Sequence, residues 1–261
     1  MSRCLIKVIS LSSECRRRDF MRKQLHNKEI DFTFYDAVDF RGSTKEFANK
    51  YLVEDELSSF KRHLTKTEVG CALSHQLCYL DFLGTNSDAL MILEDDVDIS
   101  GFDFNMLDAV VEKSKSKGVD LIILGYSKIK REELSFYYSV MPVKKVFETE
   151  GVSFGRVWRE STCGALAYVL LRSGASKIAN DFNNKGQRVS TAADDWVYFK
   201  RKVNLNIVHS RPVLALEMFE NLDSSIEAER AIVSGSRNKL LDPIRVLRGV
   251  VQKLLMNFVK I

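Results

Sequence analysis

The run Leu90-Met91-Ile92-Leu93-Glu94-Asp95-Asp96-Val97 constrains this chain more than any other stretch. Its first half is an apolar segment of strand length, suited to a strand buried on both faces. Its second half is three consecutive carboxylates, which no core tolerates unpaired. Adjacent acids repel one another, so a positive partner belongs among them, and an oxygen-preferring divalent cation is a natural candidate. In an open α/β sheet, ligands bind at the carboxyl ends of strands. The segment therefore predicts a core strand that delivers a metal-bridged nucleotide or diphosphate site. The plainer alternative is an acidic turn facing solvent. An EF-hand is excluded by spacing: Asp96, Asp98 and Gly101 fit, but Leu107 stands where a bidentate Glu is required.

The flanking sequence supplies a sheet for such a strand. Leu5 to Leu11 reads as a first strand, followed by a Ser12-Ser13-Glu14 turn and a basic helix from about Cys15 to His26. Ile30 to Tyr35 alternates as a second strand and ends at Asp36-Ala37-Val38-Asp39, and strand–helix–strand suggests parallel pairing. A polar connection with a short helix spans Gly42 to Thr65, and Thr67 opens a longer helix reaching about Phe82. Met91 to Leu93 and Asp120 to Leu124 read as core strands joined by a helix from Met106 to Ser116. Lys128 to Trp158 is irregular, and a loop of that length is usually functional or mobile. A strand over Cys163 to Leu171 precedes a helix starting at Ser173-Gly174-Ala175. A helix at Thr191 to Lys200 and extended chain at Val203 to Leu216 follow. Glu217 to Asn238 is polar and reads as poorly ordered. After Pro243 comes an amphipathic helix with Ile244, Leu247, Val251, Leu254 and Phe258 on one face. The expected class is α/β, a Rossmann-type, mostly parallel sheet flanked by helices. A catalytic domain over residues 1–216 would carry a helical extension over 217–261.

Composition narrows the function classes. With 261 residues, 45% of them hydrophobic, the chain can bury a substantial core. The net charge of +4 is small and diffuse, which speaks against a nucleic-acid partner. Five cysteines without a Cys-x-x-Cys pair read as reduced thiols of a cytoplasmic protein. Lys7 interrupts the amino-terminal apolar stretch, so no signal peptide is expected, and no segment has the length to span a bilayer. The terminal helix suits a peripheral contact with a membrane surface, or a core or homodimer contact.

A second acidic pair, Asp194-Asp195-Trp196, could supply a general base for an attacking hydroxyl, or simply cap a helix. Gly70 sits where a helix normally avoids glycine, which suggests close approach of another backbone or a ligand. His75 could serve a site or be a hydrogen-bonded core histidine. The Arg16-Arg17-Arg18 run could meet phosphate or be a solvated helix face.

Together these segments resemble glycosyltransferase family 25, the bacterial lipooligosaccharide glycosyltransferases related to collagen galactosyltransferases. The resemblance extends to about Pro212. It rests on Val8-Ile9-Ser10-Leu11 with Arg16-Arg17-Arg18, on Phe34-Tyr35-Asp36-Ala37-Val38-Asp39, on Leu64 to His75 (LTKTEVGCALSH), on Ile92-Leu93-Glu94-Asp95-Asp96-Val97, and on Gly164-Ala165-Leu166-Ala167-Tyr168 with Gly174-Ala175. It implies a GT-A-like fold, a UDP-sugar donor, galactose first among the sugars, Mn2+ or Mg2+, and an oligosaccharide acceptor of lipooligosaccharide. By position, Ser10, Leu11, Asp36 and Ala37 would border the uridine. Arg18 and Lys66 would contact the donor, and Glu68 and Ser74 belong to the matched donor-side motif. Asp96 would bind the metal, Glu94 and Asp95 would hold ribose or donor sugar, and His209 would complete the metal shell. Asp194 or Asp195 would be the base of an inverting reaction. The rivals are a UDP-glucose or UDP-GlcNAc transferase, a metal-dependent phosphohydrolase, a phosphoacceptor receiver module and an inactive sugar-binding protein. A receiver places its acidic pair after the first strand, whereas here it follows roughly the third.

Overall fold

The computed structural model describes residues 4–55, 58–60, 62–218 and 241–259. In chain order its elements are β1 (Cys4–Ser10), α1 (Cys15–His26), β2 (Thr33–Asp36), α2 (Lys45–Asn49), α3 (Lys66–Leu83), β3 (Ala89–Glu94), β4 (Val97–Asp98), α4 (Leu107–Ser116), β5 (Leu121–Ile123), β6 (Gly125–Tyr126), α5 (Leu134–Val140), β7 (Val143–Thr149), β8 (Val152–Val157), β9 (Ala167–Leu171), α6 (Arg172–Asn184), α7 (Trp196–Lys202), β10 (Ile207–Arg211), β11 (Ala215–Glu217) and α8 (Asp242–Leu255).

The main sheet has eight strands in the order β2-β1-β3-β9-β5-β10-β8-β7. β1 pairs in parallel with β2 and β3, and β5 with β10, while β9 and β8 run against their neighbours. Six strands therefore point one way, which makes the expected mostly parallel α/β sheet. A small second sheet, β4-β11-β6, lies beyond the ends of β3 and β5.

β3 is the centre of this arrangement because both its faces are apolar. Met91 and Leu93 join one core layer with Met21 and Leu25 of α1 and Val110 of α4. Leu90 and Ile92 join the opposite layer with Tyr79 and Phe82 of α3 and Trp196 of α7. Two helical layers thus clamp the strand, and its end must carry the carboxylates out between them.

α3 begins at a capping box in which Thr65 accepts from the Glu68 amide and the Glu68 carboxylate accepts from the Thr65 amide. A Cβ at Gly70 would lie 2.8 Å from the Val38 carbonyl oxygen. The close approach expected of this glycine is thus to backbone, and it holds the 37–41 loop against α3. Ser74 fixes the same loop by accepting from the Val38 amide at 2.8 Å.

Several expectations are corrected. Lys128 to Trp158 is not an irregular loop: it contains α5 and the β7–β8 hairpin, which extends the sheet edge. Its charged, aromatic sequence hid a strand pair in which β8 is mostly buried but β7 buries only Phe147 and Thr149. The helix placed at Thr191 to Lys200 starts only at Trp196, because the Asp195 side chain caps it by accepting from the Tyr198 amide. A boundary after residue 216 would cut β11, which ends at Glu217 and pairs with both β4 and β6. The polar stretch expected over Glu217 to Asn238 lies, beyond Met218, outside the described residues. No described helix is long and apolar enough to cross a membrane.

Candidate active site

Two clefts open where β1, β2 and β3 end. The first, about 790 Å³ counting its open mouth, is lined by Ser10 and Leu11 at the end of β1, by Ala37 to Arg41 after β2, and by Glu94, Asp95 and Asp96 after β3. Thr67, Cys71 and His75 of α3 form its back wall. The second, about 570 Å³, is lined by Ser127, Lys128, Gly164, Asp194 and Glu217. Cys71 and Glu94 border both, so the two clefts share one wall.

The positive partner demanded by the acidic triplet is Arg17. Its guanidinium spans Asp95 Oδ1 at 2.7 Å and Asp96 Oδ2 at 2.5 Å, with all three side chains largely buried. Burial alone would weaken the charge on Arg17, but Asp96 and Asp95 more than restore it and hold its pKa above the ordinary arginine range. Asp95 has no oxygen to spare: Oδ2 accepts from Ser10 Oγ at 2.6 Å and Oδ1 from Arg17. Burial nevertheless pushes the Asp95 carboxyl above its usual range.

Asp96 differs from its neighbour. Its Oδ1 is buried without a hydrogen-bond partner, although the side chain lines the cleft. A buried, unshared carboxylate oxygen on a cleft-lining side chain suits a divalent cation, so the residues present fit the metal that the sequence implied. Glu94 points the same way. Burial first, then the like charges of Asp96, Asp194, Glu217 and Asp95, drive its carboxyl well above the ordinary range. An added cation there would relieve that repulsion.

The other expected residues sort by position. Ser10, Leu11, Ala37, Glu94, Asp95 and Asp96 meet in the first cleft, and Glu68 and Asp194 line the second. Arg18 instead ties the ends of β1 and β2 together, donating to the Ser10 carbonyl at 2.8 Å and to Asp36 Oδ1 at 2.5 Å. Asp36 is consequently a brace on the surface rather than part of the cleft lining. Lys66 donates to the carbonyls of Arg41 and Ser43 and secures the loop under the cleft. Glu68 is buried and pairs with Arg62 at 2.7 Å. Ser74 is buried beneath the Val38 loop.

His209 does not join the carboxylates. It lies buried in β10 with Nδ1 on the Tyr126 hydroxyl at 2.5 Å and Nε2 on Glu160 at 2.8 Å, so both ring nitrogens are engaged. The acidic pair also divides. Asp195 is fully buried as a helix cap, accepting from Ser59, Thr191 and the Tyr198 amide. Asp194 faces the second cleft and accepts from the Gly164 amide at 3.1 Å.

The chain matches the model of glycosyltransferase family 25 (LPS biosynthesis protein) over residues 5–197. It is 25% identical over 240 residues to a Haemophilus influenzae protein assigned as a glycosyltransferase, covering 89% of this chain and 78% of that one. It is 27% identical over 175 residues to the lipooligosaccharide biosynthesis protein lic2B of Haemophilus influenzae, covering 66% of this chain and 61% of that one. It is 30% identical over 178 residues to the human inactive glycosyltransferase 25 family member 3, covering 66% of this chain but only 28% of the longer human one. Among solved structures, a glycosyltransferase involved in glycosylation of the major capsid of PBCV-1 aligns with a TM-score of 0.36 at 7% identity, covering 88% of this chain and 99% of that one. With the family model spanning more than half of its residues, including the acidic triplet and Asp194, the chain belongs to glycosyltransferase family 25 and is a glycosyltransferase.

Proposed function

We propose that this enzyme transfers a hexose, galactose before glucose or N-acetylglucosamine, from a UDP-sugar to a saccharide hydroxyl of lipooligosaccharide with inversion at the anomeric carbon. The observation that carries this reading is the shared wall: the strand-end cleft and the Asp194 cleft meet at Glu94. In the first cleft, Ser10, Leu11 and Ala37 border the uridine. Arg17, already held between Asp95 and Asp96, places positive charge beside the diphosphate. Asp96, through its unshared Oδ1, is the residue that would hold Mn2+ or Mg2+, with Glu94 next to it. When bound, that ion supplies Lewis-acid neutralisation of the departing diphosphate. In the second cleft the acceptor hydroxyl lies against Asp194, which takes its proton as the oxygen attacks. The new glycosidic bond forms at the anomeric carbon as the bond to the diphosphate oxygen breaks, and UDP leaves with the electron pair. Asp194 is preferred to Asp195 because only Asp194 faces a cleft.

Asp96→Ala is expected to abolish Mn2+-dependent transfer, measured as UDP release with each of UDP-Gal, UDP-Glc and UDP-GlcNAc. Wild-type rates with Mn2+ in that variant would refute the metal assignment. A thermal-shift series with the same donors identifies the sugar.

The lipid-linked acceptor is reached, in this reading, from the inner-membrane surface through α8. Gly249, buried, seats α8 on α5, where a Cβ would lie 2.0 Å from the Ser139 carbonyl oxygen. Ile244, Leu247, Val251 and Leu254 point away from the protein, each at least 46% exposed. An apolar stripe facing outward, with Arg248 and Lys253 beside it, complements anionic headgroups. Leu247→Glu with Leu254→Glu should weaken co-sedimentation with anionic liposomes more than about tenfold, since burying each leucine side chain contributes roughly 1.5–3 kcal/mol. Equal sedimentation of variant and wild type would remove the membrane role. A dimer that this pair of changes dissolves, with no liposome binding in the wild type, would assign the face to a second copy instead.

A further inference from the structure

The wall between the two clefts sets Glu94 beside two side chains of α3, Cys71 and His75, to which the transfer reaction gives no role. Cys71 and His75 stand one helical turn apart on α3 and project from the same face toward the end of β3. Cys71 Sγ, a ring nitrogen of His75 and a carboxylate oxygen of Glu94 all lie within 4.8 Å of one another. His75 is 1% exposed, and its Nε2 is buried with no hydrogen-bond partner, 3.8 Å from Glu94 Oε1. That separation is too long for a hydrogen bond, so the ring nitrogen faces the carboxylate without being satisfied by it.

The ring is also built to stay where it is. His75 Nδ1 is 2.6 Å from the Tyr168 hydroxyl, which in turn is 2.5 Å from the Tyr79 hydroxyl. Tyr168 stacks on the imidazole with ring centroids 5.9 Å apart. A histidine whose second nitrogen is fixed by a hydrogen bond is the usual form of a metal-ligating imidazole. In the tautomer whose proton sits on Nδ1, Tyr168 accepts that proton and Nε2 keeps its lone pair on the side of Glu94.

We infer that Cys71, His75 and Glu94 form a binding site for a thiophilic divalent cation, Zn2+ in the first place, distinct from the oxygen-ligand position at Asp96. One sulfur, one nitrogen and one oxygen donor leave a fourth tetrahedral position open to the clefts, where an oxygen of a bound molecule or a water can sit. Mn2+ and Mg2+ prefer all-oxygen surroundings and gain little from the thiolate, whereas Zn2+ and Co2+ take it readily. The thiol proton leaves when the ion binds, and no electron transfer is involved.

Co2+ titration of the full chain tests this without an activity assay. One equivalent is expected to produce a sulfur-to-cobalt charge-transfer band together with visible d–d bands of tetrahedral intensity. Zn2+ should bleach both. Cys71→Ser should remove the charge-transfer band, while Cys15→Ser, at an exposed cysteine that lines neither cleft, should keep it. Tyr168→Phe, which frees the ring without touching a ligand, should weaken Co2+ affinity by roughly 10–100-fold with unchanged band positions. Absence of the band in the wild type, or its survival in a folded Cys71→Ser variant, would overturn the site. A separate titration with Mn2+ and UDP reports on the Asp96 position, so failure at one site is not read as failure at the other.

Discussion

Asp194→Asn is expected to slow sugar transfer by roughly 10²–10⁴-fold, the usual contribution of a positioned general base. The substitution keeps the side-chain shape and the carbonyl oxygen that accepts from the Gly164 amide, so the fold and the nucleotide cleft should be undisturbed. Donor affinity measured by calorimetry with UDP should therefore stay at the wild-type value while kcat collapses. Asp195→Asn should behave in the opposite way. Its carboxylate caps α7 and accepts from Ser59 and Thr191 inside the core, so the loss appears in the melting temperature before it appears in the rate. A cap of this kind is worth about 0.5–2 kcal/mol. If Asp195→Asn lost its rate with unchanged melting while Asp194→Asn remained active, the two roles would be reversed.

Arg17→Met should be the most destabilising single change in the site. It keeps much of the side-chain volume but leaves Asp95 and Asp96 buried against each other with no guanidinium between them. Breaking a buried pair by removing one partner costs roughly 3–5 kcal/mol. At about 2–4 °C per kcal/mol, that is a fall of roughly 6–20 °C in Tm. The pH dependence carries a definite sign. Asp95 already sits above the ordinary carboxyl range because burial outweighs its partners, and without Arg17 it sits higher still. A carboxyl whose folded-state pKa exceeds its unfolded value binds its proton more tightly in the native protein. The native state is then favoured as pH falls through the raised pKa and penalised above it. The Tm gap between variant and wild type should be widest near neutral pH and narrow under mildly acidic conditions. A gap that stayed constant with pH would mean that lost packing, rather than charge, causes the effect.

Much of this site was legible because β3 is so plainly apolar and ends so abruptly in acid. The sequence also calls for positive charge among the carboxylates, yet its basic run suits either phosphate or a solvated face, and nothing local singles out Arg17. Topology could have found it. β1 lies beside β3 in parallel, so the helix after β1 starts at the same sheet end as the triplet and its first turn must face those acids. His209 was misplaced for the opposite reason. Nothing in its local sequence discloses that Tyr126 and Glu160, distant in the chain, occupy both ring nitrogens. The β7–β8 hairpin was hidden because only some of its positions are buried, with exposed charged residues such as Lys145 and Glu148 between them. His75 is open in the sequence between a site and a core role, and only the fold brings Glu94 across to it and Cys71.

A partition between two compartments shapes how such an enzyme diversifies. On the proposed assignment of the clefts, changes at Lys128 or along the rim near Glu217, which line the second, should alter acceptor choice and spare nucleotide handling, and changes near Asp39 or Arg41, which line the first, should do the reverse. Cys71 and Glu94 are the exceptions, since a new side chain at either would retune both partners at once. Relatives that have drifted toward new glycan targets should therefore vary first around that rim and leave these two positions for last.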